Sequence, residues 1–189
     1  FFLLPMVIGG FFDKIITSTL LLNLVEGVIR MVIFMAYMIL VSRMPDMKRV
    51  FSYHGAEHKT IRCYEAKLPL TVENVRPMTR LHPRCGTSFL FVVMIVSILV
   101  FSVFSSIFHI KAKLLKVLVK LLLLPVVVSI SYEFNRFVGR HDNAVTRALS
   151  YPGMALQNFT TNEPDDSMIE VAIRALELVL PEREGDDRW

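Results

Sequence analysis

The sequence has few charged residues and few cysteines, and both shortages narrow the class of protein. Only 20% of its 189 residues are charged, whereas 53% are apolar and 11% are aromatic. Its mean hydropathy of +0.50 is well above that of ordinary soluble domains, which excludes a disordered tail, a fibrous repeat and most soluble enzymes. Its two cysteines, Cys63 and Cys85, are too few for a disulfide framework.

Several common functional motifs are also missing. The sequence contains no Gly-rich phosphate loop, no nucleophile elbow and no paired zinc knuckle. Its net charge of +4 is uneven, because residues 1–131 carry 15 basic and 6 acidic side chains whereas residues 132–189 carry 6 and 11. The basic region lacks the interleaved aromatic residues of a single-strand nucleic-acid site. We therefore predict no nucleic-acid partner.

Long apolar runs predict that the chain crosses a lipid bilayer several times. From Cys85 to Ile110, 26 consecutive residues lack a charged side chain, which exceeds the roughly 20 residues that span a hydrocarbon core. We predict spanning helices over 87–109, 15–41 and 114–131, and a clipped or interfacial segment over 1–12. The predicted fold class is an all-α polytopic membrane protein with about three transmembrane helices, a truncated or interfacial first one, and cytoplasmic helical segments.

Some polar residues interrupt the predicted spans. Glu26 and Arg30 are four residues apart in the first of them, so they lie on one helix face and can neutralise each other. Pro125 predicts a kink in the last span, while Lys116 and Lys120 can extend their ammonium groups to the interface. The charged pair in the membrane would suit a transporter or channel, and equally an ion pair that fastens helices together.

The loop charges predict the orientation. Arg43–Arg84 carries nine Lys or Arg residues and four acids, so the positive-inside rule places 43–86 in the cytoplasm. Lys111 and Lys113, at the outer turn of the later two spans, are a smaller opposing signal. We predict four parts: N-terminal membrane segments at 1–42, a cytoplasmic His-rich loop at 43–86, a transmembrane hairpin at 87–131 and a cytoplasmic C-terminal region at 132–189.

The C-terminal region contains one clear helix signal. Ser167 and Glu170 have the spacing of a capping box, an apolar-rich run follows, and Pro181 comes after it, so we predict a helix over 167–180. Its narrow polar face predicts packing on other segments or on the membrane surface. The polar stretches 141–143 and 162–166 are typical of turns and N-caps.

The segment Tyr53–Lys59 carries the strongest chemical signal, a His-x-x-Glu-His pattern. In a helix, His54 and His58 lie one turn apart on the same face, so both imidazoles can bind one metal ion, most readily zinc. Glu57 projects to the side, where it could act as a base toward a metal-held water. This inverted zincin pattern predicts metal-dependent hydrolysis. The simpler interpretation is the polar face of a helix beside the membrane.

The sequence leaves the third ligand open. His82 is the first choice, because zinc accepts imidazole and the loop can fold back on the helix. Glu133 is an alternative carboxylate, 75 residues beyond His58, although a salt bridge to Arg136 or Arg84 would explain it too. Cys85 is an alternative thiolate, or a small buried residue at the start of a helix.

Several runs together resemble a known family. These motifs are Asn23–Gly27, Tyr53–Lys59, Leu70–Arg76, His82–Phe89, Ser131–Glu133, Glu163–Asp166 and Ile169–Ala172. They resemble the YqhQ-like family of bacterial membrane proteins, a domain of unknown function often labelled a predicted metal-dependent enzyme. The resemblance covers nearly the whole chain and implies an integral protein of the bacterial inner membrane. Family members usually begin with an additional Gly-rich segment, which this sequence lacks.

Three hypotheses about function follow. The first is a metal-dependent hydrolase that acts on a peptide or a lipid-linked substrate at the membrane surface. The second is a non-enzymatic scaffold or assembly factor, in which the histidine loop and the C-terminal helix form a docking surface and any metal is structural. The third is a small transporter or channel. The lipid bilayer is the predicted partner, and a homo-oligomer or another membrane protein is left open.

Overall fold

The computed structural model describes residues 3–12, 15–108, 112–141 and 143–181, so Lys111 and Asp142 lie outside the described residues. All regular secondary structure in these ranges is α-helix, which confirms the all-α prediction. The eight helices of the described chain are α1 Leu3–Phe12, α2 Thr19–Ser42, α3 Pro45–Glu65, α4 Val72–Val75, α5 Gly86–Ile107, α6 Lys113–Arg140, α7 Ala144–Thr160 and α8 Asp166–Glu177.

Three of these helices are long and apolar enough to cross a membrane. The candidate spans are Leu20–Ser42, Gly86–Ile107 and Leu114–Arg140, with mean hydropathies of 2.1, 2.7 and 2.3. They match the three predicted spans. The last is longer than predicted because α6 continues through Pro125 and through the polar residues after 131. The end of an apolar run therefore does not mark the end of this helix.

Residues 1–37 and 89–137 form one compact unit, here called the membrane unit. In it, the Glu26 carboxylate lies 3.9 Å from the Lys120 ammonium group of α6. Glu26, Arg30 and Lys120 line one small cavity together with apolar residues of α5. Glu26, which the sequence predicts to neutralise Arg30, thus also forms an ion pair that joins α2 to α6.

Residues 38–88 and 138–189 form the second compact unit, here called the site unit. Helix α3 packs against α8 and α4. The buried core between them consists of Ala56, Cys63, Val75, Ile169, Ala172 and Ile173. Since α8 buries one apolar face in this core, the amphipathic pattern read from the sequence is explained by packing.

Helix α8 occupies most of the predicted 167–180 segment but begins differently. Its N-cap is Asp165, whose carboxylate accepts a 2.9 Å hydrogen bond from the Met168 backbone N–H. The Ser167 hydroxyl donates to the same carboxylate, at 2.7 Å. The predicted capping box at Ser167 is therefore wrong by two residues, because Asp165 is the stronger acceptor for the free N–H groups of the first turn.

Helix α7 was not predicted, because it contains Pro152 and Gly153, which usually interrupt helices. Its start is nevertheless well defined. Asn143 caps it in a capping box with Thr146, and accepts hydrogen bonds from two backbone N–H groups at 3.0 Å. Gly153 also allows close packing, since a Cβ atom there would lie 3.0 Å from the Ser88 side chain.

Candidate functional site

Helix α3 carries the two histidines of the His-x-x-Glu-His pattern on one face. Pro45 at its start, Asp46 in its first turn and Arg62 in its last turn all suit a helix that runs in this direction. The rings of His54 and His58 lie with their centroids 4.3 Å apart. The predicted one-turn spacing therefore brings both imidazoles together.

The structure adds Cys85 to these two histidines. The Cys85 sulfur lies 3.2 Å from Nε2 of His54. One ligand atom from each of His54, His58 and Cys85 lies within 4.8 Å of the others. His58 and Cys85 are only 4% and 5% exposed, and His54 is half-buried. We call these three residues the His-Cys cluster.

Backbone carbonyl groups orient both histidine rings. Nδ1 of His54 donates to the Thr160 carbonyl at 2.8 Å, and Nδ1 of His58 donates to the Arg80 carbonyl at 2.6 Å. Because a carbonyl only accepts hydrogen bonds, each Nδ1 carries the hydrogen, and Nε2 of a neutral ring has a free lone pair. Metal-binding histidines are held in the same way.

The surroundings of the Cys85 thiol favour its ionised form. Burial raises its pKa, but hydrogen bonds from His54, His58 and Thr87 outweigh this effect and lower the pKa from 9.0 to about 5. The pKa of His54 is in turn raised, chiefly by the hydrogen bond to Cys85 and against the effect of burial. At neutral pH the sulfur is therefore a thiolate, which is the form that binds metals and attacks electrophiles.

His82 lies beside the His-Cys cluster, but its ring nitrogens have other partners. Its ring centroid is 5.8 Å from that of His58. Nε2 lies 3.2 Å from a Glu65 carboxylate oxygen, and Nδ1 accepts from the Arg84 backbone N–H at 3.3 Å. The hydrogen bond from His82 lowers the pKa of Glu65. The ligand role of His82 stays a prediction, whereas Cys85 lies within reach of both other ligands.

Gln157 fixes the chain segment that carries His82 and Cys85. Its side chain is fully buried. It accepts from the His82 backbone N–H at 2.8 Å and donates to the His82 carbonyl at 2.6 Å and to the Ser88 hydroxyl at 2.7 Å. The sequence did not single out Gln157, since an amide in an unpredicted helix carries no local signal.

A second set of contacts ties α3 to the segments that supply the two carbonyl groups. The buried Lys59 ammonium group lies 2.5 Å from Glu163 and donates to the Arg76 carbonyl at 3.0 Å. The Arg80 guanidinium donates to the carbonyl and the hydroxyl of Thr161, at 2.6 and 2.8 Å. These contacts hold the Arg80 and Thr160 carbonyl groups where the two imidazoles need them.

The two candidate carboxylates differ in their positions. Glu57 is exposed on α3, and its charge is among the smaller causes that raise the pKa of His54. Glu133 lies on α6 in the membrane unit, with its side chain 67% exposed, and forms a 3.6 Å salt bridge to Arg136. Glu57 is thus adjacent to the His-Cys cluster, and Glu133 has the simpler role that the sequence offered for it.

The spacing of the His-Cys cluster could hold a metal ion. Zinc binds histidine nitrogen at about 2.0–2.1 Å and cysteine sulfur at about 2.3 Å. In a tetrahedral site these lengths separate neighbouring ligand atoms by roughly 3.5 Å. The sulfur and Nε2 of His54 are 3.2 Å apart, and all three ligand atoms lie within 4.8 Å. The sulfur-to-nitrogen distance is thus close to the separation of ligand atoms in such a site.

Comparison with known proteins places the chain in a family. No solved structure matches it. It is 40% identical over 157 residues to the uncharacterized protein YqhQ of Bacillus subtilis (strain 168), a match that covers 82% of this chain and 48% of the relative. The chain thus spans about half the length of the curated relative it matches. A family model described as "Protein of unknown function (DUF1385)" matches residues 1–182, and the chain belongs to this family.

Proposed function

We propose that this protein is a membrane-bound metalloenzyme that holds a zinc ion between His54, His58 and Cys85 and uses it for hydrolysis. The observation that carries the proposal is the His-Cys cluster itself, whose three ligand atoms lie within 4.8 Å of one another. Cys85, an alternative in the sequence analysis, takes the third position. His82 supports the site through its contact with Glu65.

The chemistry of the three ligands favours this assignment. Two imidazoles and one thiolate suit zinc better than magnesium or calcium, which prefer oxygen ligands. Structural zinc sites in proteins almost always have four protein ligands, whereas catalytic sites have three and keep the fourth position open. The three members of the cluster therefore support a catalytic site better than a purely structural one.

The protein residues have distinct roles in this mechanism. A bound zinc ion supplies Lewis acidity and makes water a better nucleophile. The Thr160 and Arg80 carbonyls keep both imidazoles aligned. Glu57, exposed beside His54, accepts the proton of the attacking water and passes it to the leaving group.

The position of the site in the chain supports a substrate at the membrane. Cys85 directly precedes Gly86, the first residue of a candidate span, so a metal ion held by Cys85 would lie close to the surface of a bilayer that this span crosses. A peptide of a membrane protein or a lipid-linked molecule reaches such a site by diffusing in the membrane. The basic loop 43–86 supports a cytoplasmic location for this loop and the C-terminus, at the inner membrane of a bacterium.

Metal analysis of the detergent-purified protein tests this proposal. We expect about one zinc per chain, because three well-placed ligands bind zinc tightly. His58→Ala and Cys85→Ser should lose it. In protein reconstituted with cobalt, we expect a sulfur-to-cobalt charge-transfer band in the near-ultraviolet, which Cys85→Ser removes. His82→Asn should keep the band, since His82 is not a ligand in this proposal.

Two controls separate the alternatives. If Glu57 is a base, Glu57→Gln should keep the metal and lose the cellular function, whereas a structural metal site would tolerate this change. Loss of metal in His82→Asn together with retention in Cys85→Ser would show that His82, not Cys85, is the third ligand. Wild-type protein without metal after zinc supplementation would contradict the proposal as a whole.

A second candidate function rests on the close approach of Cys85 to His54. A thiolate 3.2 Å from an imidazole whose Nδ1 is held by an acceptor is also the arrangement of thiol hydrolases. There the sulfur attacks a carbonyl carbon, the protonated imidazole gives its proton to the leaving group, and water activated by the imidazole then hydrolyses the thioester to release the acid and the free sulfur. Hydrolysis that persists after complete removal of metal would favour this function over the zinc enzyme.

The lowered pKa of Cys85 gives a further prediction for metal-free protein. A pKa of about 5 means that the thiolate predominates at pH 6 and that reactivity declines only as the pH falls through 5. We expect methyl methanethiosulfonate to modify Cys85 at pH 6, while Cys63, whose pKa is raised by burial, stays unmodified. Peptide mass spectrometry measures both sites, and added zinc should protect Cys85.

The variant His54→Ala provides the control for this experiment. Without the imidazole, the pKa of Cys85 should rise, and modification at pH 6 should slow markedly. Equal modification of Cys85 in the wild type and in His54→Ala would show that the imidazole does not activate the sulfur.

A further inference from the structure

Helix α7 has an apolar face on its outer side. Four exposed residues share this face: Val145, Ala148, Pro152 and Phe159. They are three, four and seven residues apart, and these spacings bring side chains to the same side of an α-helix. Tyr151 lies beside them and is 70% exposed, and Val145 is 67% exposed. A helix whose outer face contacts water usually has charged residues on that face. Arg147 is the only charged residue in α7.

The adjacent face of α7 is already used. It buries Thr146, Gly153, Leu156, Gln157 and Thr160 within the site unit. The outer face is therefore distinct from the face that packs into the site unit. A contiguous exposed apolar surface of this kind marks a contact with a membrane or another protein.

The connection between α6 and α7 indicates that the outer face of α7 contacts the membrane and not another protein. The span Leu114–Arg140 has 27 residues, which gives a length of about 40 Å, the thickness of a bilayer including its headgroups. If α6 crosses the bilayer over this whole length, Arg140 lies at headgroup level. Only residues 141–143 separate it from α7, so α7 then begins at the bilayer surface.

We propose that α7 is an interfacial helix whose outer face inserts between the lipid headgroups and the acyl chains of the bilayer. Its charge fits this position, because Arg140 at the end of α6 can bind anionic headgroups and α7 contains no acidic residue. Continuity with a spanning helix favours lipid over a second copy of the chain. This inference stands independently of the proposed enzyme activity.

Tryptophan fluorescence in vesicles tests the proposal on the full chain. Trp189 is the only tryptophan, so Trp189→Phe gives a silent background. In it, Tyr151→Trp and Phe159→Trp place probes on the outer face of α7, and Glu170→Trp places a control on an exposed site of α8. Vesicles of phosphatidylcholine and phosphatidylglycerol are compared with and without brominated acyl chains, because bromine quenches tryptophan only at short range.

The outcomes are distinct. At positions 151 and 159 we expect about a twofold or greater loss of fluorescence in brominated vesicles, since an interfacial helix buries its apolar face roughly 5–10 Å into the boundary. The control at 170 should be unaffected. Unquenched probes on α7 would overturn the proposal, and a blue-shifted but unquenched emission would indicate a protein partner instead. Equal quenching at 170 would also overturn it, because the contact would not be specific to α7.

Discussion

Replacement of Gly55 by alanine is expected to lower the free energy of unfolding by about 3 kcal/mol, at the upper end of the usual cost of overpacking. A Cβ atom at this position would lie 2.1 Å from the Asn162 carbonyl oxygen. Both partners are backbone, so no side-chain rotation relieves the clash. The approach is also fixed by a 2.9 Å hydrogen bond from the Asn162 backbone N–H to the Phe51 carbonyl.

The same clash should disturb the His-Cys cluster. Asn162 is two residues from Thr160, whose carbonyl orients His54. We therefore expect Gly55→Ala to lower both the melting temperature of the detergent-purified protein and its metal content. Gly86→Ala is a matched control, because a Cβ atom there meets nothing within 4 Å. Equal melting temperatures of the two variants would contradict this explanation of Gly55.

Gln157→Leu should have the second large effect. It removes the partners of the His82 backbone N–H, the His82 carbonyl and the Ser88 hydroxyl. Each buried polar group left without a partner costs about 1–3 kcal/mol. The freed segment also carries Cys85, so metal affinity should fall by about 10–100-fold, as for other residues that support metal ligands.

Two further variants define the role of Gln157. Asn158→Leu changes the exposed neighbour, whose contact with the Arg80 guanidinium is long at 3.5 Å, and should leave stability and metal affinity close to those of the wild type. Gln157→Glu keeps an acceptor for the His82 N–H but places a buried carboxylate against the His82 carbonyl oxygen, so it should destabilise the fold at least as much as Gln157→Leu. Thermal unfolding and competition with a zinc chelator measure the two effects. Unchanged zinc affinity in Gln157→Leu would show that the amide stabilises only the fold.

The three candidate spans could be predicted from the sequence because membrane-spanning helices follow a simple local rule. A span needs about 20 apolar residues, and α5 follows a charge-free run of that length. Helix α7 could not be predicted in this way. Pro152 and Gly153 oppose a helix locally, and only the packing of Gly153 against Ser88 and the cap at Asn143 show why one forms.

In the candidate site, too, local contacts could be predicted from the sequence and long-range contacts could not. The one-turn spacing of His54 and His58 is local, so the sequence predicts that they meet. The choice between His82 and Cys85 depends on the path of a loop that is held by Gln157, 75 residues beyond His82. The His82 ring forms a hydrogen bond with the carboxylate of Glu65, which lies on the last turn of α3. No pattern of neighbouring residues encodes either contact.

The two carbonyl groups that orient the imidazoles have a consequence for mutational tolerance. Both belong to the main chain, so replacing the Thr160 or Arg80 side chain leaves the acceptor itself in place. A scan of single substitutions would therefore underestimate how much these positions matter to the geometry of the cluster. Their contribution becomes visible only in changes that displace the backbone, such as proline insertion or a shift in loop length.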